Sequence, residues 1–455
     1  MSDPVVTIRD LQYRYRGQQK MALDGIDLDI HRGEFLVVMG PSEAGKSTLA
    51  ATINGLIPHF HVGKMSGTVT VMGRNTQEHS VSQMAEIVGM VFQDFEAQLF
   101  STNVELEVAF GPENFAVDRE EIGRRINENL NYVGLDAVRN RPPSTLSGGQ
   151  KQKLAIASVL ALKPSVLVMD EPTTDLDPIS KMGIFDITHR LCKRDDLTLM
   201  VIEHETEEAL FADRIALIHN GKLIRSGLAA EILSDVDLLE SLGIMPLGIP
   251  RFFKNMASSL RPLTPVEGVQ TFQQTGWRIS ETAYQSIVAR EQADLAKLTK
   301  PLIQCRDLEH SYTKDVKALD KVSLEIYDGD MVAIVGQNGS GKTTLVKHFN
   351  GLLMPTAGEI LVNGQPTEKQ GVFKLGQKVG YVFQNPDYQI FSETVLDEVA
   401  FSPRLRNLSE EEVKQRVHEA LEAVGLAGAE EEDPFSLTKS GRQRVAVASV
   451  LAAKP

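Results

Sequence analysis

The chain repeats itself, and that repeat limits its architecture more than any other feature. LQYRY at Leu11–Tyr15 returns as LEHSY at Leu308–Tyr312, GPSEAGKST from Gly40 as GQNGSGKTT from Gly336, and VGMVFQDFEAQLF from Val88 as VGYVFQNPDYQIF from Val379. An amphipathic stretch with Ile122, Ile126, Leu130 and Val133 on one helical face is matched by Val413, Val417, Leu421 and Val424 at the same spacing. LAIASVLALKP then matches VAVASVLAAKP. A duplication of this length means two domains of one fold, which suits 455 residues better than a single domain does. The expected division is 1–235 for the first domain, 236–300 for a connector and 301–455 for the second.

The connector matches neither copy. It carries Pro246, Pro250, Pro262 and Pro265 ahead of a predicted helix around residues 280–298, and its seven basic residues nearly balance its six acidic ones, so it is no electrostatic arm. Lys454-Pro455 aligns with Lys163-Pro164, so the residues after Pro164 in the first copy have no counterpart here. The second domain is therefore expected to be incomplete and only marginally stable alone.

Bulk properties exclude several classes. With 42% hydrophobic and 24% charged residues the chain can fill sizeable cores, and a net charge of -14 argues against a protein living on nucleic acid. Cys192 and Cys305 have no paired spacing, and are read as reduced core thiols. MSDPVVTIRD has no signal-peptide pattern. The apolar run Leu154–Leu162 stops at Lys163-Pro164, short of the roughly 18 residues that a membrane span needs. Any route across a membrane is thus expected on another chain.

Each copy places G-x-x-x-x-G-K-[ST] after an apolar run read as a strand, FLVVM in the first and MVAIV in the second. Such a loop cradles phosphates: glycines permit the tight turn, backbone N–H groups and the following helix N-terminus face the anion, and the lysine reaches the β and γ oxygens. The predicted cradles are Gly40, Pro41, Ser42, Glu43, Ala44, Gly45, Lys46, Ser47 and Thr48, and Gly336, Gln337, Asn338, Gly339, Ser340, Gly341, Lys342, Thr343 and Thr344. The hydroxyls of Ser47 and Thr343 suit Mg²⁺. Glu43 stands where the second copy has Gly339, and its carboxylate is expected to turn outward. SVLVMDEPT at Ser165–Thr173 is an apolar strand ending in two carboxylates. Asp170 is read as a Mg²⁺ ligand and Glu171 as the base that orients and deprotonates the attacking water. LSGGQ, with Ser147, Gly148, Gly149 and Gln150, opens a helix suited to a γ-phosphate.

Together these motifs resemble the ABC ATPase superfamily over nearly the whole chain. The resemblance implies an α/β fold of two tandem P-loop NTPase domains, each with a mainly parallel core sheet, an antiparallel β subdomain and a helical signature subdomain, the second domain truncated. It implies ATP and Mg²⁺ as cofactors, with Glu171, His204, Lys46 and Lys342 as the catalytic residues. Gln93 and Gln384 resemble switch glutamines that contact Mg²⁺, His204 in VIEHETEE the γ-phosphate histidine, Tyr15 and Tyr312 the adenine-stacking aromatics, and Asp177 the aspartate linking two sites. The family pairs its cassettes, here within one chain. The second copy reads LTKSG at Leu437–Gly441, with Lys439 in place of the first signature glycine, so unequal hydrolysis at the two sites is expected.

QDFEAQLF, QNPDYQIF and LTKSGRQR further resemble energy-coupling factor ATPases for vitamin, vitamin-precursor or metal-ion import. That resemblance implies a transmembrane T component beside Gln93 and Gln384, a substrate-binding S component, and a peripheral position on the cytoplasmic face of the membrane. Asp94, Glu96, Glu105, Glu107, Asp387, Asp397 and Glu398 are expected to receive basic coupling helices. The competing readings are a sugar- or peptide-transporter ATPase and a double cassette acting on ribosomes or DNA.

Overall fold

Alternation governs the start of the chain: along Pro4–Tyr15 (β1), Val6, Ile8, Leu11 and Tyr13 are fully buried, the period-two pattern of a strand with one covered face, offset by one residue at an irregularity between Ile8 and Leu11. The computed structural model describes residues 4–174, 176–192, 197–296, 300–313 and 316–455. They fall into two units, Met1–Arg278 and Ile279–Pro455.

In the first unit β1 joins Leu23–His31 (β2), Phe35–Met39 (β3) opens a second sheet, and Gly63–Val71 (β4) and Arg74–Asn75 (β5) complete the first, an antiparallel sheet of order β2-β1-β4-β5. The second sheet adds Val88–Val91 (β6), Val166–Asp170 (β7), Thr198–Ile202 (β8), Arg214–His219 (β9) and Lys222–Leu228 (β10), in the order β10-β9-β3-β8-β7-β6. From β9 through β6 it is parallel. Its strands are apolar throughout because both faces are covered. Leu36, Val38, Val166, Val168, Met200 and Ile202 join the core shared with the antiparallel sheet, while Val37, Met39, Leu167, Met169, Leu199 and Val201 join the core built with the helices.

The proline-rich stretch after residue 235 has a packed place in this unit. Leu239, Leu242, Ile244 and Leu247 enter its core, and Trp277 lies against Phe253 at 5.6 Å and Phe272 at 6.0 Å between ring centroids.

The second unit keeps the antiparallel sheet, formed by Ile303–Thr313 (β11), Val316–Ile326 (β12), Ala357–Val362 (β13) and Gln365–Pro366 (β14) in the order β12-β11-β13-β14. It also keeps the helices Lys342–Phe349, Val395–Leu405, Glu410–Ala423 and Lys439–Ala453. The expectation of a parallel core sheet in each copy holds for the first unit only. MVAIV before Gly336 is no strand, with Met331 100% and Val335 88% exposed. The cause is pairing: its counterpart β3 is hydrogen-bonded on both sides, to β8 and β9, both of which come after Pro164. The two apolar clusters of this unit accordingly stand apart, one under the sheet and one among the helices.

Candidate nucleotide and hydrolysis site

The β3 strand ends at Met39, Gly40 opens the loop, and the helix Lys46–Ile53 begins after Gly45. Glycine is required at both positions: a Cβ at Gly40 would run into the carbonyl of Ile218, and one at Gly45 into the carbonyl of Ala22, with Gly45 at φ +105. The loop between them wraps the lysine. Lys46 Nζ donates to the carbonyls of Gly40 and Pro41, each at 3.0 Å, and is buried. Burial holds its pKa below the ordinary lysine value, against the attraction of Glu171 and Asp170. Glu43 is exposed and takes a left-handed backbone, φ 64, where Gly339 of the second loop has φ 81.

Parallel pairing carries β7 beside β8, which places Asp170 level with Ile202. Asp170 is 6% exposed, and its Oδ1 has no hydrogen-bond partner. Desolvation raises its pKa to about 6, opposed by a hydrogen bond with Ser47. Glu171 comes next, in the left-handed region at φ 48, a conformation that a non-glycine residue keeps only where its surroundings enforce it. Three donors do so. His204 Nε2 lies 2.5 Å from Oε1, while Gln93 Nε2 at 2.7 Å and Thr174 Oγ1 at 3.2 Å donate to Oε2. Burial alone would raise the Glu171 pKa, but the hydrogen bond and charge of His204, with the charge of Lys46, hold it below the ordinary value. The carboxylate is therefore ionised at neutral pH and accepts from the N–H at His204 Nε2.

Tyr15 Oη shares a 3.1 Å hydrogen bond with Thr48 Oγ1, and Tyr312 Oη the same bond with Thr344 Oγ1. Each aromatic ring is thus tied to the helix after its phosphate loop. Ser147 caps the helix Gly148–Leu160 and exchanges hydrogen bonds with Gln150 at 3.3 and 3.0 Å. A Cβ on Gly149 would sit 2.5 Å from Ser180 Oγ. Ser180 itself belongs to the helix Pro178–Cys192, whose first turn Asp177 holds by accepting from Ile179 N and Ser180 N at 3.1 Å.

In the second unit Lys342 Nζ donates to the carbonyls of Gly336 and Gln337 at 2.7 Å, repeating the lysine geometry of the first loop. Thr438 caps the variant signature helix through Gly441 N at 3.1 Å, and Lys439 occupies its first position. With glycine at 441 the reciprocal capping bond of Gln150 cannot form. Gln93 and Gln384 are both exposed.

A model of the ABC transporter family matches residues 23–174 and again residues 319–455, most of the chain. The chain belongs to the ABC transporter family. A protein of Caldanaerobacter subterraneus subsp. tengcongensis named as an ABC transporter ATP-binding protein is 55% identical over the whole chain and 81% of its own length. Similarly named proteins from Methanosarcina mazei and Enterococcus faecalis are 37% and 32% identical over the whole chain, and over 78% and 80% of their own lengths. Among solved structures, cbiO1 of Clostridium perfringens, described as part of the ABC transporter complex cbiONQ, is 30% identical with a TM-score of 0.48, covering 56% of this chain and all of its own. ATP hydrolysis by its cassettes, and a place as the ATPase subunit of a transporter, come with family membership. Among the described residues no helix is long and apolar enough to cross a membrane.

Two acidic residues expected at the docking face of this ABC chain serve its own backbone instead. Glu107 is buried and accepts from Phe100 N at 3.0 Å and Ser101 N at 2.8 Å; Glu398 does the same for Phe391 N and Ser392 N, each at 3.0 Å. Glu96, Asp387 and Asp397 are paired with Lys151, Arg442 and Arg404. Sequence motifs give no hint of the buried polar cluster that Glu203, Glu208 and Thr173 form behind His204. The available signal was Glu203 itself, a carboxylate directly after four apolar strand residues.

Proposed function

We propose that this chain is the ATPase subunit of an energy-coupling factor importer for a vitamin, a vitamin precursor or a metal ion. Mg·ATP would be held by Gly40–Thr48 with Tyr15 against the adenine, and in the second cassette by Gly336–Thr344 with Tyr312. The observation carrying the hydrolytic part is the Asp170-Glu171 pair: a buried carboxylate with one unpartnered oxygen, beside an ionised one fixed by His204, Gln93 and Thr174.

That unpartnered oxygen and the Ser47 hydroxyl fit a divalent cation, which when bound neutralises charge on the β and γ phosphate oxygens. Gln93 sits within reach of the same site through Glu171, and Thr343 and Gln384 are its counterparts in the second cassette. Glu171 orients the attacking water and accepts its proton, and His204 keeps the carboxylate in place. Ser147, Gly148, Gly149 and Gln150 present the amides and hydroxyl of a helix start to a γ-phosphate.

The importer class is supported by QDFEAQLF, QNPDYQIF and LTKSGRQR. Docking of a membrane T component, which itself engages an S component, is supported by paired exposed aromatics beside the two switches. Phe100 and Phe110 meet edge to face at 4.5 Å, and Phe391 and Phe401 at 4.9 Å, all exposed. Large apolar surfaces of this kind commonly mark a partner. The chain would thus work at the cytoplasmic face of the membrane. Co-purification from membranes tests the reading: a small integral membrane partner retained by the wild type and lost with Phe100→Ala is expected, and recovery of ribosomes or DNA instead would overturn it.

A further inference from the structure

Glu203 and Glu208 are 4% and 5% exposed, and one hydroxyl stands between them. Thr173 Oγ1 lies 3.3 and 3.4 Å from the two oxygens of Glu203, and 3.0 and 3.1 Å from those of Glu208. The hydroxyl has a single proton to give, so it can satisfy one carboxylate only. Two ionised carboxylates this close and this dry repel strongly, so the pair keeps one proton between them. Glu203 is its holder, since burial and its hydrogen bond to Glu208 push its pKa well above the ordinary value.

The cluster joins the two segments that carry the hydrolytic residues. Glu203 immediately precedes His204, and Glu208 lies four residues beyond it, in a short helical turn, Glu208–Phe211. Thr173 lies two residues after Glu171 in the turn whose next residue, Thr174, also binds the Glu171 carboxylate. Packing around the pair is apolar, from Phe35, Val37, Ile184 and Val201. The charged groups facing it are Glu171, Glu205 and Lys181, with Lys181 committed to Glu205 at 2.6 Å, and His189 lines the same pocket.

We propose that Glu203, Glu208 and Thr173 form a one-proton clamp that holds the His204 loop against the Glu171 loop and so fixes the 2.5 Å contact between His204 and Glu171. They are positioning residues. None touches nucleotide in this role, and the clamp rests on the assignment of Glu171 and His204 to the hydrolytic site.

The device has a pH sign. A carboxyl with a raised pKa keeps its proton above the ordinary carboxylate range and gives it up as pH rises further, and the resulting pair of negative charges forces the loops apart. Activity is therefore held while the proton is kept and falls as rising pH removes it.

The test compares full-length variants by kcat, KM for ATP and pH profile. Glu203→Ala and Thr173→Val lower kcat about tenfold or more with KM changed by no more than about twofold, while Thr173→Ser restores kcat. Glu203→Gln keeps the hydrogen bonds without a titratable proton, so it retains kcat within about threefold at neutral pH and flattens the alkaline limb. Infrared difference spectra on raising pH, in the absence of nucleotide, show loss of a protonated-carboxyl C=O band that Glu203→Gln lacks. An unchanged kcat in a folded Glu203→Ala protein, or an identical alkaline limb in Glu203→Gln, overturns the clamp; so does a Glu203→Gln difference spectrum identical to that of the wild type, since the Asp170 band is common to both. If Glu171→Gln leaves hydrolysis intact, the assignment of the hydrolytic site fails instead, and the infrared comparison still decides whether Glu203 holds a proton.

Discussion

His204 Nε2 lies 2.5 Å from Glu171 Oε1, and the opposite oxygen of the same carboxylate takes Gln93 and Thr174. One side chain thus gathers contributions from the ends of β6, β7 and β8, three parallel strands that run side by side. Its geometry is set by the sheet, because a shift of any of these strands would pull a donor away. Phosphoryl transfer depends mainly on placing the nucleophile and stabilising charge, and a carboxylate fixed from three directions suits that demand.

Replacing Glu171 by Gln removes the proposed base but keeps the shape. Hydrolysis by this cassette is expected to fall about 100-fold to 10000-fold, while nucleotide binding through Lys46 persists. Filter retention of labelled ATP alongside phosphate release checks both halves of the statement.

Asp170→Asn should stabilise the metal-free protein by about 1–3 kcal/mol, because it removes a buried charge with an unpartnered oxygen. The pH dependence comes from the raised pKa of about 6. The folded state holds the proton more tightly than the unfolded one, so the wild type loses this contribution as pH climbs from the ordinary carboxylate range through about 6. Thermal melts across that window should slope for wild type and stay flat for Asp170→Asn, whose Mg²⁺-dependent hydrolysis is lost.

Glu43→Gly sets two effects against each other. Relief of a left-handed Cβ is worth about 1–2 kcal/mol, and the entropy that glycine adds to the unfolded chain opposes it by about 1 kcal/mol. The net change in stability stays within about 1 kcal/mol, and since the side chain is exposed, ATP affinity at this loop changes less than about tenfold. Calorimetric melting and nucleotide titration measure the pair of outcomes.

At the proposed docking face the aromatic pairs, not the acidic residues, should dominate. Phe391→Ala is expected to weaken membrane recruitment by about tenfold, as loss of a buried aromatic contact does at an interface. Asp387→Lys costs less than that, because Asp387 already faces Arg442 at 2.6 Å. Glu398→Ala should instead destabilise the second unit by about 2 kcal/mol by stripping two amides of their acceptor. Flotation with membranes separates the first two variants, and a denaturant melt reports the third.

Much of the first cassette could be read directly from residues, because its chemistry sits in short contiguous motifs. Gly40, Lys46, Asp170 and Glu171 occupy the loop and strand end predicted for them. The rest depended on partners remote in sequence. MVAIV reads as a strand by its residues, yet strandhood requires neighbours, and those of β3 come from far downstream. Glu107 and Glu398 look like surface acids until the folded chain brings Phe100 and Phe391 amides to them. Glu203 and Thr173 lie 30 residues apart, so their meeting is a product of the parallel register of β7 and β8. Cys305 fits its reading as a core thiol, being 2% exposed with a pKa pushed up to about 11 by burial; the Cys192 side chain lies outside the described residues.

The left-handed backbone of Glu171 sets a cost on its own replacement. Glycine would relax at φ 48, yet it would leave His204, Gln93 and Thr174 without the one acceptor they share.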